Sequence, residues 1–177
     1  MDSINQQQAE QNHADLYDQE ALKKLKAHCE KKTCFFCTGI GIGQPFETRP
    51  MSVQKVDDRG RLWFLSANDS HKNGQIRENA FVQLLFQGSA HSDFVMLTGY
   101  ALISQDKGKI KELWEPILKT WFTGGADDPR ITVIEVTPEE GYYWDTKHGN
   151  MVAFAKQLVG AALGKMLDDS IEGKLEF

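Results

Sequence analysis

Apolar residues along this chain change period several times, and each change marks an element. From His13 to about Lys32, Leu16, Leu22, Leu25 and Cys29 give an imperfect helical stripe with charge on the remaining faces, which predicts an amphipathic helix. Thr33 to Thr38 is a short β-like run. Arg49 to Val56 alternates Met51 and Val53 against Ser52 and Gln54, and Leu62-Trp63-Phe64-Leu65-Ser66 follows after a turn at Asp57-Asp58-Arg59-Gly60. Such a pair reads as adjacent antiparallel strands. Ser70 is placed to cap a helix running to about Asn79. Phe81 to Phe86 and Asp93 to Ser104 are two more apolar strands, the longer one interrupted by Gly99, a position suited to a bulge where a barrel must curve. Five strands in close succession predict a closed or partly closed barrel rather than a parallel sheet.

The remaining pattern fills in the periphery. Asp106 starts a helix carrying Ile110, Leu113, Trp114, Ile117, Leu118 and Trp121, with Pro116 expected to bend or restart it. Thr132 to Val136 and Gly141 to Asp145 are expected as the last strands, Val152, Phe154, Leu158 and Leu163 as an amphipathic helix, and Asp168 to Phe177 as a loosely held end. The expected organisation is a mobile tail over 1–12, one domain over 13–165 and a C-terminal tail over 166–177.

Composition narrows the class. The chain has 177 residues, 41% of them hydrophobic and 25% charged, enough for one domain with a substantial core. A formal net charge of −5 argues against a general nucleic-acid partner. No run approaches the length of a membrane span, and the first residues are polar, so a cytoplasmic protein is expected. Cys34-Phe35-Phe36-Cys37 is a C-x-x-C, but on a strand residues three apart point to opposite faces, so core packing is expected. Gly39-Ile40-Gly41-Ile42-Gly43 runs toward another strand rather than a helix and is read as a turn. Asp145 and His148 alone make too small a ligand set, and no metal site is expected.

Candidate chemistry concentrates between Arg49 and Lys72. A helix start at Ser70 leaves backbone N–H groups without intrahelical partners. Lys72 supplies a charge-assisted donor, and Arg49, on a neighbouring strand, a bidentate one. An anion there gains about 0.3–1 kcal/mol from the helix dipole. This combination suits a phosphate.

Arg49-Pro50-Met51, Leu62-Trp63-Phe64-Leu65 and Ser70-His71-Lys72, with Gly99-Tyr100-Ala101, Leu113-Trp114, Trp121-Phe122-Thr123-Gly124-Gly125, Asp127-Asp128-Pro129 and Tyr143-Trp144-Asp145, resemble in order the flavin-binding split barrels related to pyridoxamine 5′-phosphate oxidase. The branch they most resemble is the bacterial general stress proteins, and the likeness covers roughly Cys34 to Asp145. It implies a mainly β, α+β split barrel of about six to seven antiparallel strands with flanking helices. It also implies Arg49, Pro50, Met51 and Ser52 beside a flavin, Leu65 and Ser66 along its ribityl chain, and Ser70 and Lys72 at its phosphate. Trp121, with Phe122, is the candidate to cover the ring from a second chain, since the family's flavin commonly sits at a homodimer interface. FMN is expected ahead of FAD or a deazaflavin because the site ends at one phosphate. His71 stands where relatives often carry Arg, and the C-terminal region lacks the Arg-rich motif of the oxidase itself, so oxidation of pyridoxamine phosphate is not implied. No catalytic side chain is singled out, because the flavin carries the redox chemistry. Two alternatives remain beside a flavin-binding stress protein: a flavin-dependent reductase or oxidase of a small molecule, and a cofactor-free interaction module.

Overall fold

The computed structural model describes residues 12–41, 46–89, 93–163 and 169–177. A two-residue strand, β1 (Leu16–Tyr17), leads into helix α1 (Asp18–Cys29) and then β2 (Thr33–Thr38), β3 (Glu47–Ser52), β4 (Lys55–Val56) and β5 (Leu62–Ala67). Helix α2 (His71–Glu78) comes next, before β6 (Phe81–Gln87) and β7 (Phe94–Ser104). The second half holds α3 (Lys107–Leu113), 3₁₀ turns at Pro116–Thr120 and Gly125–Asp127, β8 (Ile131–Thr146), α4 (Asn150–Leu163) and β9 (Ser170–Glu176).

The sheet turns on β8. One edge of this 16-residue strand pairs antiparallel with β7, while the other is divided: Ile131 to Val136 bond β5 and Gly141 to Thr146 bond β9. From β7 the order continues through β6 and β2 to β3, and β4 pairs with β5 on the separate branch. The result is the split β architecture that the resemblance implies, with helices packed around it. Its central cluster includes Phe36, Phe64, Leu84, Leu97 and Val136, with Leu25 and Cys29 of α1 covering one end. Trp63, Leu65, Ile110, Leu113, Phe122, Ile131 and Val133 form a second cluster beneath α3. Successive β5 residues alternate between the two, as a strand's period of two requires.

Gly99 sits where β7 and β8 slip register. A Cβ there would lie 2.2 Å from the Thr137 carbonyl oxygen, so only glycine admits the bulge. The same bulge explains why the two expected strands at Thr132 to Val136 and Gly141 to Asp145 are one. Pro138, opposite Gly99, lacks a ladder donor and is tolerated at the irregularity. It bends the strand without ending it.

Other expectations need correction. The expected C-terminal tail over 166–177 contains β9, hydrogen-bonded to β8 on one side and parallel to β1 on the other. Its charged residues hide the pattern, yet Leu175 is buried and Gly173 lets the chain at Ala14 pass against it. With β1, β4 and β9 the described residues hold nine strands, more than the expected six to seven, and the β1–β9 pair is parallel. The predicted strand over Arg49 to Val56 is interrupted between β3 and β4, where Val53 and Gln54 bond Lys32 and Trp63 instead, so the expected pairing with Leu62 to Ser66 forms only at Lys55 and Val56 while β3 pairs with β2. The helix expected from His13 begins at Asp18, and the one from Asp106 stops at Leu113 before the Pro116 turn. Asn12, placed in the N-terminal tail, is buried against Ser170; residues 1–11 of that tail lie outside the described residues. So do Ile42 and Gly43 of the expected turn.

Candidate functional site

Three elements converge beside α2. Strand β2 ends in Thr38, which lies opposite Glu47 in the β2–β3 register, and Phe36 lies opposite Arg49. Glu47 and Arg49, two apart on β3, therefore point to one side. The Arg49 guanidinium donates through Nη1 to Thr38 Oγ1 at 3.0 Å and to Gln75 Oε1 at 3.2 Å. Its Nη2 forms an ion pair with the Glu47 carboxylate. Thr38 Oγ1 in turn donates to Gln75 Oε1 at 2.6 Å, which ties the strand ends to α2.

Across from this group stands Lys72. Ser70 caps α2, its side chain accepting from the Asn73 amide at 3.3 Å, and this places Lys72 in the first helical turn with its side chain turned inward. The residue is 4% exposed. Its ammonium donates to Ser66 Oγ of β5 and, at 3.3 Å, to Ser70 Oγ. Asn73 fixes both hydroxyls, accepting from Ser66 at 2.9 Å and Ser70 at 3.1 Å, and anchors itself on Thr132 Oγ1 at 2.9 Å.

The electrostatics of this group are unbalanced. Among the described residues Lys72 has no carboxylate partner; burial, and then the neighbouring Arg49 charge, pull its pKa down to about 8. A buried ammonium held only by hydroxyls is costly. Two cations, two hydroxyls and the first amides of α2, which lack intrahelical acceptors, thus lie in one neighbourhood, where the Lys72 charge has no carboxylate among the described residues to balance it. These are the donor types that hold a phosphate monoester.

The structure brings Arg49, Ser66, Ser70 and Lys72 together. Met51 is half-buried against the central cluster, while Pro50 and Ser52 lie exposed along β3, the end strand of its path. Leu65 points the other way from Ser66, into the cluster beneath α3. Trp121 is 63% exposed at the end of a 3₁₀ turn, and none of its described contacts reaches the Arg49–Lys72 group. His71 is exposed. Sequence reading missed Thr38, Glu47, Gln75, Asn73 and Thr132. Asn73, three residues past the capping Ser70, was the one with a local signal.

Other suggestive motifs resolve differently. All three cysteines are free and buried, and burial, then Cys37, pushes the Cys34 thiol up to about 12. Asp145 pairs with Lys24 at 2.5 Å and His28 at 3.3 Å, whereas His148 bonds Asp169 at 2.7 Å. They do not share a site.

Comparison with known proteins gives a consistent picture. Residues 20–168 match the family described as Pyridoxamine 5′-phosphate oxidase like. General stress protein 26 of Bacillus subtilis is 25% identical over 146 residues, covering 77% of this chain and 89% of that one. Protein bli-3 of Neurospora crassa is 28% identical over 105 residues, 54% of this chain; the alignment spans half of that relative's length. Among solved structures, a candidate general stress protein 26 from Jannaschia sp. CCS1 superposes with a TM-score of 0.68 at 21% identity, covering 88% of this chain and 95% of that one. A general stress FMN/FAD binding protein from Xanthomonas citri gives a TM-score of 0.58 at 23% identity, with 68% and 84% covered.

Proposed function

This chain belongs to the Pyridoxamine 5′-phosphate oxidase like family, and on that premise we propose that it is a flavin-binding protein of the general stress branch, with FMN as its ligand. The observation that carries the reading is the buried Lys72 ammonium, facing Arg49 and lacking a carboxylate partner among the described residues. A single dianionic phosphate satisfies both cations, and this favours FMN over flavins that end in a diester. The first α2 amides supply further donors, and the Ser66 and Ser70 hydroxyls, which donate to Asn73 in this structure, would turn from it to the phosphate. The Xanthomonas citri relative, named for FMN/FAD binding, and the Bacillus subtilis general stress protein support the assignment.

Pro50, Met51 and Ser52 run along an end strand and suit the edge of a flat ring, with Ser66 toward the ribityl chain; Leu65 faces the cluster beneath α3 and supports β5 from behind. Bound flavin would supply hydride or electron transfer; the side chains hold and orient it and exclude water. The outward face beside β3 favours a homodimer. Pro50, Phe35, Leu85 and Met96 form one row across β3, β2, β6 and β7, with Phe35 54% exposed. A second copy would bury this row and could bring Trp121 to the ring.

The test is titration of purified protein with FMN, followed by visible absorption and flavin fluorescence, for the wild type and the Arg49→Ala, Lys72→Ala double variant. Saturable wild-type binding that weakens at least about 100-fold in a double variant of unchanged fold is the expected result, from two charge-assisted contacts of about 1.5–3 kcal/mol each. Equal affinity of the two proteins rejects this phosphate site.

A further inference from the structure

We infer that Glu47 is a built-in competitor for the flavin phosphate that lowers FMN affinity; this rests on the phosphate site proposed above. The geometry is specific. Arg49 has its fork divided, Nη1 on Thr38 and Gln75 and Nη2 on the Glu47 carboxylate. A phosphate drawing a bidentate contact from Arg49 uses Nη2, the nitrogen already paired with Glu47, and meets the carboxylate's charge there. Glu47 sits two residues before Arg49 on the same face of β3, so the carboxylate is tethered at high effective concentration. Lys72 has no such competitor among the described residues.

The consequence follows from competition. Ligand affinity is scaled by the fraction of time Arg49 is free. The Glu47 side chain is 55% exposed and that of Arg49 25%, so the pair is of the weak, partly solvated kind. It is strong enough to occupy Arg49 most of the time and weak enough to yield to a dianion. When phosphate leaves, the carboxylate closes back onto the guanidinium and opposes immediate rebinding. Riboflavin, without a phosphate, never meets Glu47.

Glu47→Gln tests this, because Gln keeps the size and one acceptor but removes the charge, and the exposed position at the start of β3 leaves the fold intact. FMN and riboflavin titrations are run on both proteins, with FMN association timed by rapid mixing and flavin fluorescence. Glu47→Gln is expected to bind FMN about fivefold more tightly, through faster association, with riboflavin affinity unchanged. FMN affinity equal in the two proteins, or an equal gain for FMN and riboflavin, overturns the inference while leaving the flavin assignment standing. Absence of FMN binding to both proteins overturns the flavin assignment and this inference together; binding to Glu47→Gln alone supports it.

Discussion

Lys72 carries its charge at a cost that ligand binding can relieve, and this makes its titration visible in function. Burial and Arg49 hold its pKa near 8, below that of an exposed lysine. Below about pH 8 the ammonium is present in both free and bound protein. Above that pH the free protein loses the proton, and binding a phosphate must restore it. FMN affinity is therefore expected to fall as pH rises through about 8, approaching tenfold per pH unit, and to lose this dependence in Lys72→Met; a titration series from pH 6.5 to 9.5 checks it. The stability linkage has a related sign: with the folded pKa depressed, the unfolded chain binds more protons between about pH 8 and 10.5, so the burial penalty fades as pH rises across that window. At this scale the sequence was informative for residues whose role is local. Ser70 as a cap and Lys72 beside it were legible from spacing, as was Arg49 as a candidate cation. Thr38, Glu47 and Gln75 were not, because what makes them neighbours of Arg49 is the β2–β3 register and the seating of α2.

Strands and helices with strong periodic signals formed where expected, and departures came where a neighbour decides the outcome. Strand β2 occupies Thr33–Thr38, as its run of apolar residues predicts. Strand β9 has only two large apolar residues in seven, Ile171 and Leu175, and exists because β8 and β1 accept its backbone on both edges. The continuity of β8 likewise depends on β7, whose Gly99 lets the two strands slip past Pro138 without parting. Gly99→Ala puts a methyl group into the Thr137 carbonyl, and overpacking of this kind costs about 1–3 kcal/mol. A lowered denaturation midpoint is expected, with FMN binding retained by the folded fraction, since the bulge lies outside the Arg49–Lys72 group. A melting curve matching the wild type would show that the strands can separate there freely.

For the whole molecule, the unanswered surface is the row Pro50, Phe35, Leu85 and Met96, an apolar line across four strands beside the candidate ring position. A charge at its centre is incompatible with burial against a second copy. Phe35→Glu is expected to shift the protein from dimer to monomer in sedimentation and to weaken FMN binding at least tenfold, even though Phe35 makes none of the phosphate contacts. A monomeric wild type, or a dimeric variant with full affinity, rejects that face as the interface. The chain by itself pointed to the barrel class, most of its main strands, the capped helix and the two cations Arg49 and Lys72, because alternation, capping and charge type are written in neighbouring residues. Only the tertiary structure decided that β8 serves two strands along one edge, that β9 closes onto β1, and that Lys72 is buried with hydroxyls for company while Glu47 holds Arg49. Those facts depend on contacts between residues far apart in the chain, where register and burial, rather than local preference, set which groups meet.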